Sequence, residues 1–309
     1  MRLGIDLGGT KILARVIDSE TGTPSGRAKL PTPDDGPDAV IEALVTAVQE
    51  LDRDDVELVG IGVPGFVVDG TTVVYCPNIA GWDEPVDLAA RLGKALDRPV
   101  VVGNDVNCGA LAEHRLGAGV GVDDLLAVFV GTGVGGGLIL DGRVAAGSRG
   151  LVGEIGHVTV RPGGEPCGCG GRGHLEAYAG RAGLERRARA LDASGTPNLL
   201  VELAGEGTIK SRHLAIALEE GDEATAGLVD EAVDALALVI GNTATVLDLQ
   251  RVVLGGGVVD KLGQAFVDRI AASPAFGGLD PAVCELRLAQ RLDDAGVAGA
   301  ALLAVDRFG

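Results

Sequence analysis

Two of the chain's four histidines and two of its five cysteines fall within Gly153–Glu176, GEIGHVTVRPGGEPCGCGGRGHLE. Cys167 and Cys169 are one residue apart, His157 precedes them by ten residues and His174 follows Cys169 by five. Zn²⁺ accepts thiolate sulfur and imidazole nitrogen in a tetrahedron, so His157, Cys167, Cys169 and His174 form a candidate metal set. The plainer alternative is two free thiols and two unrelated histidines on a loop. Glycine density at 163, 164, 168, 170, 171 and 173 disfavours helix or strand here, so something must pin the segment. Four protein ligands leave no open coordination position, which makes the expected zinc structural rather than catalytic.

Other stretches also suit chemistry. Asp6 closes a short apolar run, and Gly8-Gly9-Thr10-Lys11 then forms a turn before a second apolar run. A strand–glycine turn–strand can set backbone N–H groups against a phosphate; a plain hairpin is the alternative. GxxxxGK[ST] is absent, so this is no P-loop. Gly131-Thr132-Gly133, inside LLAVFVGTGVGGGLIL, repeats the arrangement, which suggests a duplicated fold that binds nucleotide between its halves. Asn104-Asp105 ends PVVVGND, where a strand gives way to a helix. Ligands of α/β sheets bind beyond the carboxyl ends of strands. A carboxylate there can take a proton from a hydroxyl that Asn holds in place; equally, Asp105 could simply cap the helix. Gly65, after LVGIGVP, either admits a ligand or makes an ordinary turn.

These residues need elements to carry them. Strands are expected at 2–7, 12–18, 58–65, 99–102, on both sides of Gly131–Gly133, at 251–259 and at 283–288. Helical spacing of apolar residues predicts helices at 38–52, from Asp87 to before Pro99, after Asp105, from Leu175 onward, from Asp222 to Leu249, at 260–272 and at 296–307. Helices alternating with strands make an α/β fold whose sheets are covered by helices. The expected division is a domain of residues 1–117, with helix 296–309 packed back on it, and a larger domain of 118–295 that carries the Cys/His loop.

The 309 residues carry a net charge of −18, with five lysines (11, 29, 94, 210 and 261). Such a surface disfavours nucleic-acid backbones and anionic membranes. It suits a salt-rich cytoplasm, or simply the composition of a GC-rich genome. The odd cysteine count and the absence of a leader before MRLGIDLG point to a reducing, cytoplasmic location. No apolar run reaches the length of a membrane span.

DLGGTK (6–11), GVPG (62–65), PNIAGW (77–82), NDVNCGALAE (104–113), GTGVGGG (131–137), GEIGH (153–157), CGCGGRGHLE (167–176) and LGGG (254–257) occur in that order. Together they resemble the ROK family of sugar kinases and repressors over essentially the whole length, and within it the ATP-dependent glucokinases. The resemblance implies an actin-like (ribonuclease H-like, duplicated) ATPase fold of two domains with the site in the cleft between them. It implies phosphorylation of the glucose 6-hydroxyl by ATP, with Asp105 as general base. Another hexose or amino sugar (fructose, N-acetylmannosamine, N-acetylglucosamine) is the alternative. Gly65, Asn78, Asn104, Glu154, His157 and Glu176 match the family's sugar contacts. Gly8, Gly9, Thr10 and Lys11 match the first phosphate turn, Gly131, Thr132 and Gly133 the second, and Gly255 and Gly256 the adenosine contact. Asp6 matches the carboxylate near Mg²⁺. Structural zinc and a homodimer or homotetramer are also implied. The family's usual metal set is one His and three Cys; His174 stands here at the third cysteine position, so a His₂Cys₂ site is expected. Repressors of the family carry a DNA-binding segment of several dozen residues, whereas DLGGTK here begins at residue 6, so that role is disfavoured.

Overall fold

The structure is a computed structural model that describes residues 1–18, 21–51, 55–77, 79–277, 284–290 and 294–308. Its chain begins with three strands, β1 (Arg2–Leu7), β2 (Lys11–Ile17) and β3 (Pro24–Pro31), followed by α1 (Pro37–Glu50) and β4 (Leu58–Val63). A small antiparallel sheet of β5 (Phe66–Val68), β6 (Thr72–Tyr75) and β7 (Val86–Asp87) leads to α2 (Leu88–Leu96), β8 (Val100–Asn104) and α3 (Asp105–Leu116). These strands form a five-stranded sheet in the order β3-β2-β1-β4-β8, antiparallel through β3, β2 and β1 and parallel from β1 through β4 to β8. Every residue of β4 is buried, as expected of a parallel strand covered on both faces.

The chain then repeats the plan with β9 (Leu125–Val130), β10 (Val134–Leu140) and β11 (Arg143–Val144). Helices α4 (Leu175–Ala179), α5 (Arg181–Ala193), α6 (Leu199–Ala204), α7 (Ser211–Glu219) and α8 (Glu223–Leu247) come next. The remaining elements are β12 (Arg251–Gly255), α9 (Gly257–Ala272), β13 (Glu285–Leu288) and α10 (Ala295–Phe308). The second sheet runs β11-β10-β9-β12-β13, with β12 parallel to both β9 and β13. Strand order and the parallel half thus match the first sheet position for position: this is a duplicated fold.

Two compact units are defined: Met1–Asp123 with Gly137–Gly153 and Gln290–Gly309, and Asp124–Gly136 with Glu154–Ala289. The segment from Gly137 to Gly153 lies with the first unit, because the chain changes units within β10 rather than at a linker. Helix α10 packs on β1, β4 and α3 in the first unit. Its approach requires glycines on the sheet: a Cβ on Gly4 or Gly60 would collide with the carbonyls of Val297 or Ala300.

The elements differ from the pattern read in the sequence at several points: the strand expected at 251–259 ends at Gly255 and that at 58–65 ends at Val63. The helix expected from Leu175 breaks at Gly180, whose ψ of 140° is extended. A Cβ there would stand 2.8 Å from the Glu176 carbonyl and 3.2 Å from Gly133 Cα, so close backbone approach sets the corner. Helix α9 begins at Gly257 rather than 260 and carries one non-helical residue, Gly263, at φ 67°. Residue 283, the expected start of the last strand, lies outside the described residues.

Candidate active site and metal centre

In the first unit, Asp6 lies one residue before the end of β1, opposite Gly62 of β4, and Asp105 begins α3 directly beyond β8. Their elements converge: a Cβ on Gly62 would lie 3.4 Å from both Asp105 Cα and Cys108 Sγ. Burial pushes the Cys108 thiol well above its usual range, and the charges of Asp105 and Asp6 push it further. Asp6 itself is held above the ordinary carboxylate value by burial, which outweighs the opposing pull of Lys11. The turn between β1 and β2 is closed by Gly8 N donating to Lys11 O at 2.9 Å, and by the Thr32 hydroxyl donating to Gly8 O at 2.6 Å. Gly9, Thr10 and Lys11 are exposed.

Capping of α3 falls to Asn104, not Asp105. Asn104 Oδ1 accepts from Asn107 N at 3.0 Å, and its Nδ2 donates to Gly65 O at 3.2 Å. Asp105 is the first helical residue, and its Oδ1 accepts from Val106 N at 2.9 Å. Anionic charge there is favoured by the helix dipole. Gly65 is required by backbone crowding, since a Cβ would collide with Tyr75 O. Asn78 lies outside the described residues.

In the second unit, the strand pairing of β9 with β12 brings two glycine turns together across about 120 residues of sequence. A Cβ on Gly256, which sits at φ 89°, would stand 2.7 Å from Val130 O, directly before Gly131–Gly133; Gly255 is paired with Phe129. The corner of α4 and α5 abuts the same turn. Arg181 N and Ala182 N donate to the carbonyls of Gly131 and Thr132, both at 3.0 Å. Glu176 Oε2 accepts from Val134 N at 3.1 Å, and its other oxygen lies 3.6 Å from Cys167 Sγ. Glu176 therefore joins the second glycine turn to the cysteine loop.

That loop is tied by its own backbone. Thr159 pairs with His174 and Pro166 with Arg172 in antiparallel bridges, and Gly173 N donates to Glu165 O at 2.7 Å. Tyr178 adds a side-chain anchor: its hydroxyl accepts from Glu165 N at 2.9 Å, and the Arg161 and Arg187 guanidinium carbons lie 5.0 and 5.1 Å from its ring centroid. Glu231 of α8 binds both arginines, at 2.6 and 2.9 Å. These contacts bring one ligand atom each from His157, Cys167, Cys169 and His174 within 4.8 Å of one another. Cys169 Sγ is 3.2 Å from His174 Nδ1, and Cys167 Sγ is 3.9 Å from His157 Nδ1. Two sulfurs and two imidazole nitrogens at these separations fit Zn²⁺. The other nitrogen of His157, Nε2, lies 3.8 Å from Glu154 Oε2. Burial holds Glu154 above the usual carboxylate range; His157 opposes this and Glu176 adds to it.

The residues singled out in the sequence thus form two groups, one in each unit: Asp6, Gly8–Lys11, Gly65, Asn104 and Asp105, and then Gly131–Gly133, Glu154, His157, Cys167, Cys169, His174, Glu176, Gly255 and Gly256. Arg181 was missed by sequence reasoning. Its guanidinium donates to Thr132 Oγ1 at 2.9 Å and to Ile209 O at 2.7 Å. An arginine at the start of a helix carries no signal in sequence until the helix is known to start on a glycine turn.

A duplicated sheet with a glycine turn after the first strand of each half defines an actin-like ATPase fold. The chain matches the ROK family over residues 2–307, and it belongs to that family. It is 34% identical to a glucokinase of Streptomyces coelicolor, over 98% of this chain and 97% of that protein. It is 33% identical to an N-acetylmannosamine kinase of Salmonella typhi, over 98% and 97%. The structure of a ROK family glucokinase from Streptomyces griseus in complex with glucose and AMPPNP superposes with a TM-score of 0.80 at 34% identity, covering 99% of both chains. No helix among the described residues is long and apolar enough to cross a membrane.

Proposed function

We propose that this protein is an ATP-dependent sugar kinase that phosphorylates the 6-hydroxyl of glucose. One observation supports the assignment of the base: Asp105 is the first residue of α3, directly beyond β8 and beside Asn104, which supplies the side-chain cap. In this reading Asp105 accepts the hydroxyl proton as the sugar oxygen bonds to the γ-phosphorus and the bond from that phosphorus to the ADP oxygen breaks. Positioning and charge neutralisation dominate such transfers. Gly8–Lys11 and Gly131–Gly133 hold the phosphates, and Gly255 and Gly256 border the adenosine. Asp6, a carboxylate raised by burial, is suited to a neighbouring cation, and Mg²⁺ bound with ATP would supply charge neutralisation there.

Glu154, His157 and Glu176 receive the sugar hydroxyls in this reading, together with Gly65, Asn78 and Asn104. Zinc held by His157, Cys167, Cys169 and His174 would fix the loop, with His157 Nδ1 toward the metal and Nε2 toward Glu154 and the sugar. The similarity to N-acetylmannosamine kinases supports a second reading, an amino-sugar substrate. A coupled assay of ADP release over glucose, fructose, mannose, N-acetylmannosamine and N-acetylglucosamine separates the two. Glucose is expected to give the highest kcat/KM. A clear preference for an N-acetylated sugar moves the assignment to the second reading, and no ADP release with any sugar refutes both.

A further inference from the structure

We propose that Arg181 is the positioning residue of the second glycine turn, fixing the Thr132 hydroxyl as a hydrogen-bond donor to a nucleotide phosphate oxygen. The proposal rests on the reading that Gly131–Gly133 holds phosphates of ATP.

A guanidinium has five N–H donors and no acceptor, so in the 2.9 Å contact between Arg181 Nη2 and Thr132 Oγ1 the hydroxyl oxygen must accept. A hydroxyl engaged in this way keeps its own proton to give elsewhere. Thr132 is exposed, and among the described residues its hydroxyl donates to no protein acceptor. A cation on the oxygen also strengthens the outgoing O–H, since charge-assisted hydrogen bonds are the stronger class.

The backbone acts in concert. Arg181 N and Ala182 N take the carbonyls of Gly131 and Thr132. In a planar trans peptide the N–H points opposite to the C=O. Those two bonds therefore turn the N–H groups of Thr132 and Gly133 away from α5, leaving them for an anion. The other end of the guanidinium holds Ile209 O at 2.7 Å; Ile209 is fully buried, so this end is anchored on rigid backbone. Two residues on, Ser211 Oγ borders the last glycine of LGGG, 3.5 Å from where a Cβ on Gly257 would lie. Arg181 thus spans from the GTG turn to the loop beside the LGGG turn. Glu185 Oε2, 3.8 Å from Nη1, partly balances its charge.

The test measures KM for MgATP, KM for glucose, kcat, and Kd for a fluorescent ADP analogue without sugar. Variants are Arg181→Gln, Arg181→Lys, Thr132→Ser, Thr132→Val and the Gln/Val double variant. Arg181→Gln is expected to raise the MgATP KM and the ADP-analogue Kd by about tenfold or more, the scale of a hydrogen bond to a charged group, and to leave the glucose KM within about twofold. Arg181→Lys should fall between, and Thr132→Ser, which keeps the hydroxyl, should cost less than Thr132→Val. Thr132→Val should cost about tenfold in wild type but under about threefold beside Arg181→Gln, because the two act as one unit. Unchanged nucleotide parameters in Arg181→Gln, equal rises in both KM values, or an additive cycle each overturn the proposal while the kinase assignment stands. A wild-type protein that neither binds the analogue nor phosphorylates a sugar overturns the kinase reading and this one with it.

Discussion

A single methyl group on the second glycine turn should disturb the metal loop 34 residues away in sequence. A Cβ on Gly133 would collide with Glu176 Oε2 and stand 3.0 Å from Cδ and 3.7 Å from Cγ. The carboxylate cannot rotate clear without leaving Val134 N, which it accepts from at 3.1 Å, and Cys167 Sγ, 3.6 Å from its other oxygen. Overpacking a well-filled site costs about 1–3 kcal/mol. Losing a hydrogen bond to a charged group costs about 1.5–3 kcal/mol. Because Glu176 is only partly buried and has some room to relax, the expected loss lies toward the lower end, about 3 kcal/mol, or a drop in Tm of roughly 5–12 °C for a chain of this size. Gly131, two residues earlier, is the internal control: a Cβ there meets nothing within 4 Å. The assay compares thermal unfolding, zinc content and glucose KM for Gly131→Ala and Gly133→Ala. Gly133→Ala should lower Tm and raise the glucose KM; Gly131→Ala should leave both near wild type and affect the nucleotide KM alone. Wild-type Tm and glucose KM in Gly133→Ala would refute the coupling through Glu176.

Three further outcomes are expected. Asp105→Asn should lower kcat by about 10²–10⁴-fold, the usual contribution of a general base, while calorimetry still detects sugar binding; near-normal kcat sinks the base assignment. Asp6 has a folded pKa raised above its ordinary 3.8 by burial, so its ionisation opposes folding. Its stabilising contribution is full below 3.8 and declines as pH rises toward the folded value. Asp6→Asn should therefore have a Tm advantage over wild type that grows from pH 4 to 7, with phosphoryl transfer lost; a variant less stable than wild type at pH 7 contradicts this. Metal analysis should find one zinc per chain. His174→Cys should retain it with an unchanged glucose KM, whereas His157→Ala should lose metal and raise that KM together. A fully active, metal-free preparation would show that the Tyr178–Glu231 cluster holds the loop unaided.

What the sequence revealed depended on whether the relevant contacts were local. The Cys/His cluster was legible because all four of its residues lie within 18 residues, joined by glycines that disfavour other structure. Both glycine turns were legible for the same reason, and the repeat of strand–turn–strand correctly implied duplication. Asn104 and Asp105 could not be ranked as caps in sequence, since both types cap helices well. The end of β8 decides it by leaving Asn104 extended at ψ 142°. Likewise the break between α4 and α5 was hidden, because Gly180 is extended only where the corner meets Gly133, 47 residues earlier. Arg181 and the contact of Glu176 with Val134 follow from that corner and were invisible for the same reason.

The energetics of the two units suggest why the fold keeps these residues. Asp6 in the first unit and Glu154 in the second are both raised by burial, so each weakens its own unit at neutral pH. A cost of that kind is expected where a charge is held ready for a ligand. Asp6 has Gly296 of α10 against it, where a Cβ would lie 3.1 Å from its Cγ, and Glu154 follows the Gly153 turn at φ 92° and leads into the short helix that carries His157. The helix that presses on Asp6 requires the glycines at 4 and 60. Removing either glycine should therefore act on the Asp6 side chain through α10, and the thermal gain of Asp6→Asn should shrink in a Gly60→Ala background as the helix is pushed away and water reaches the carboxyl.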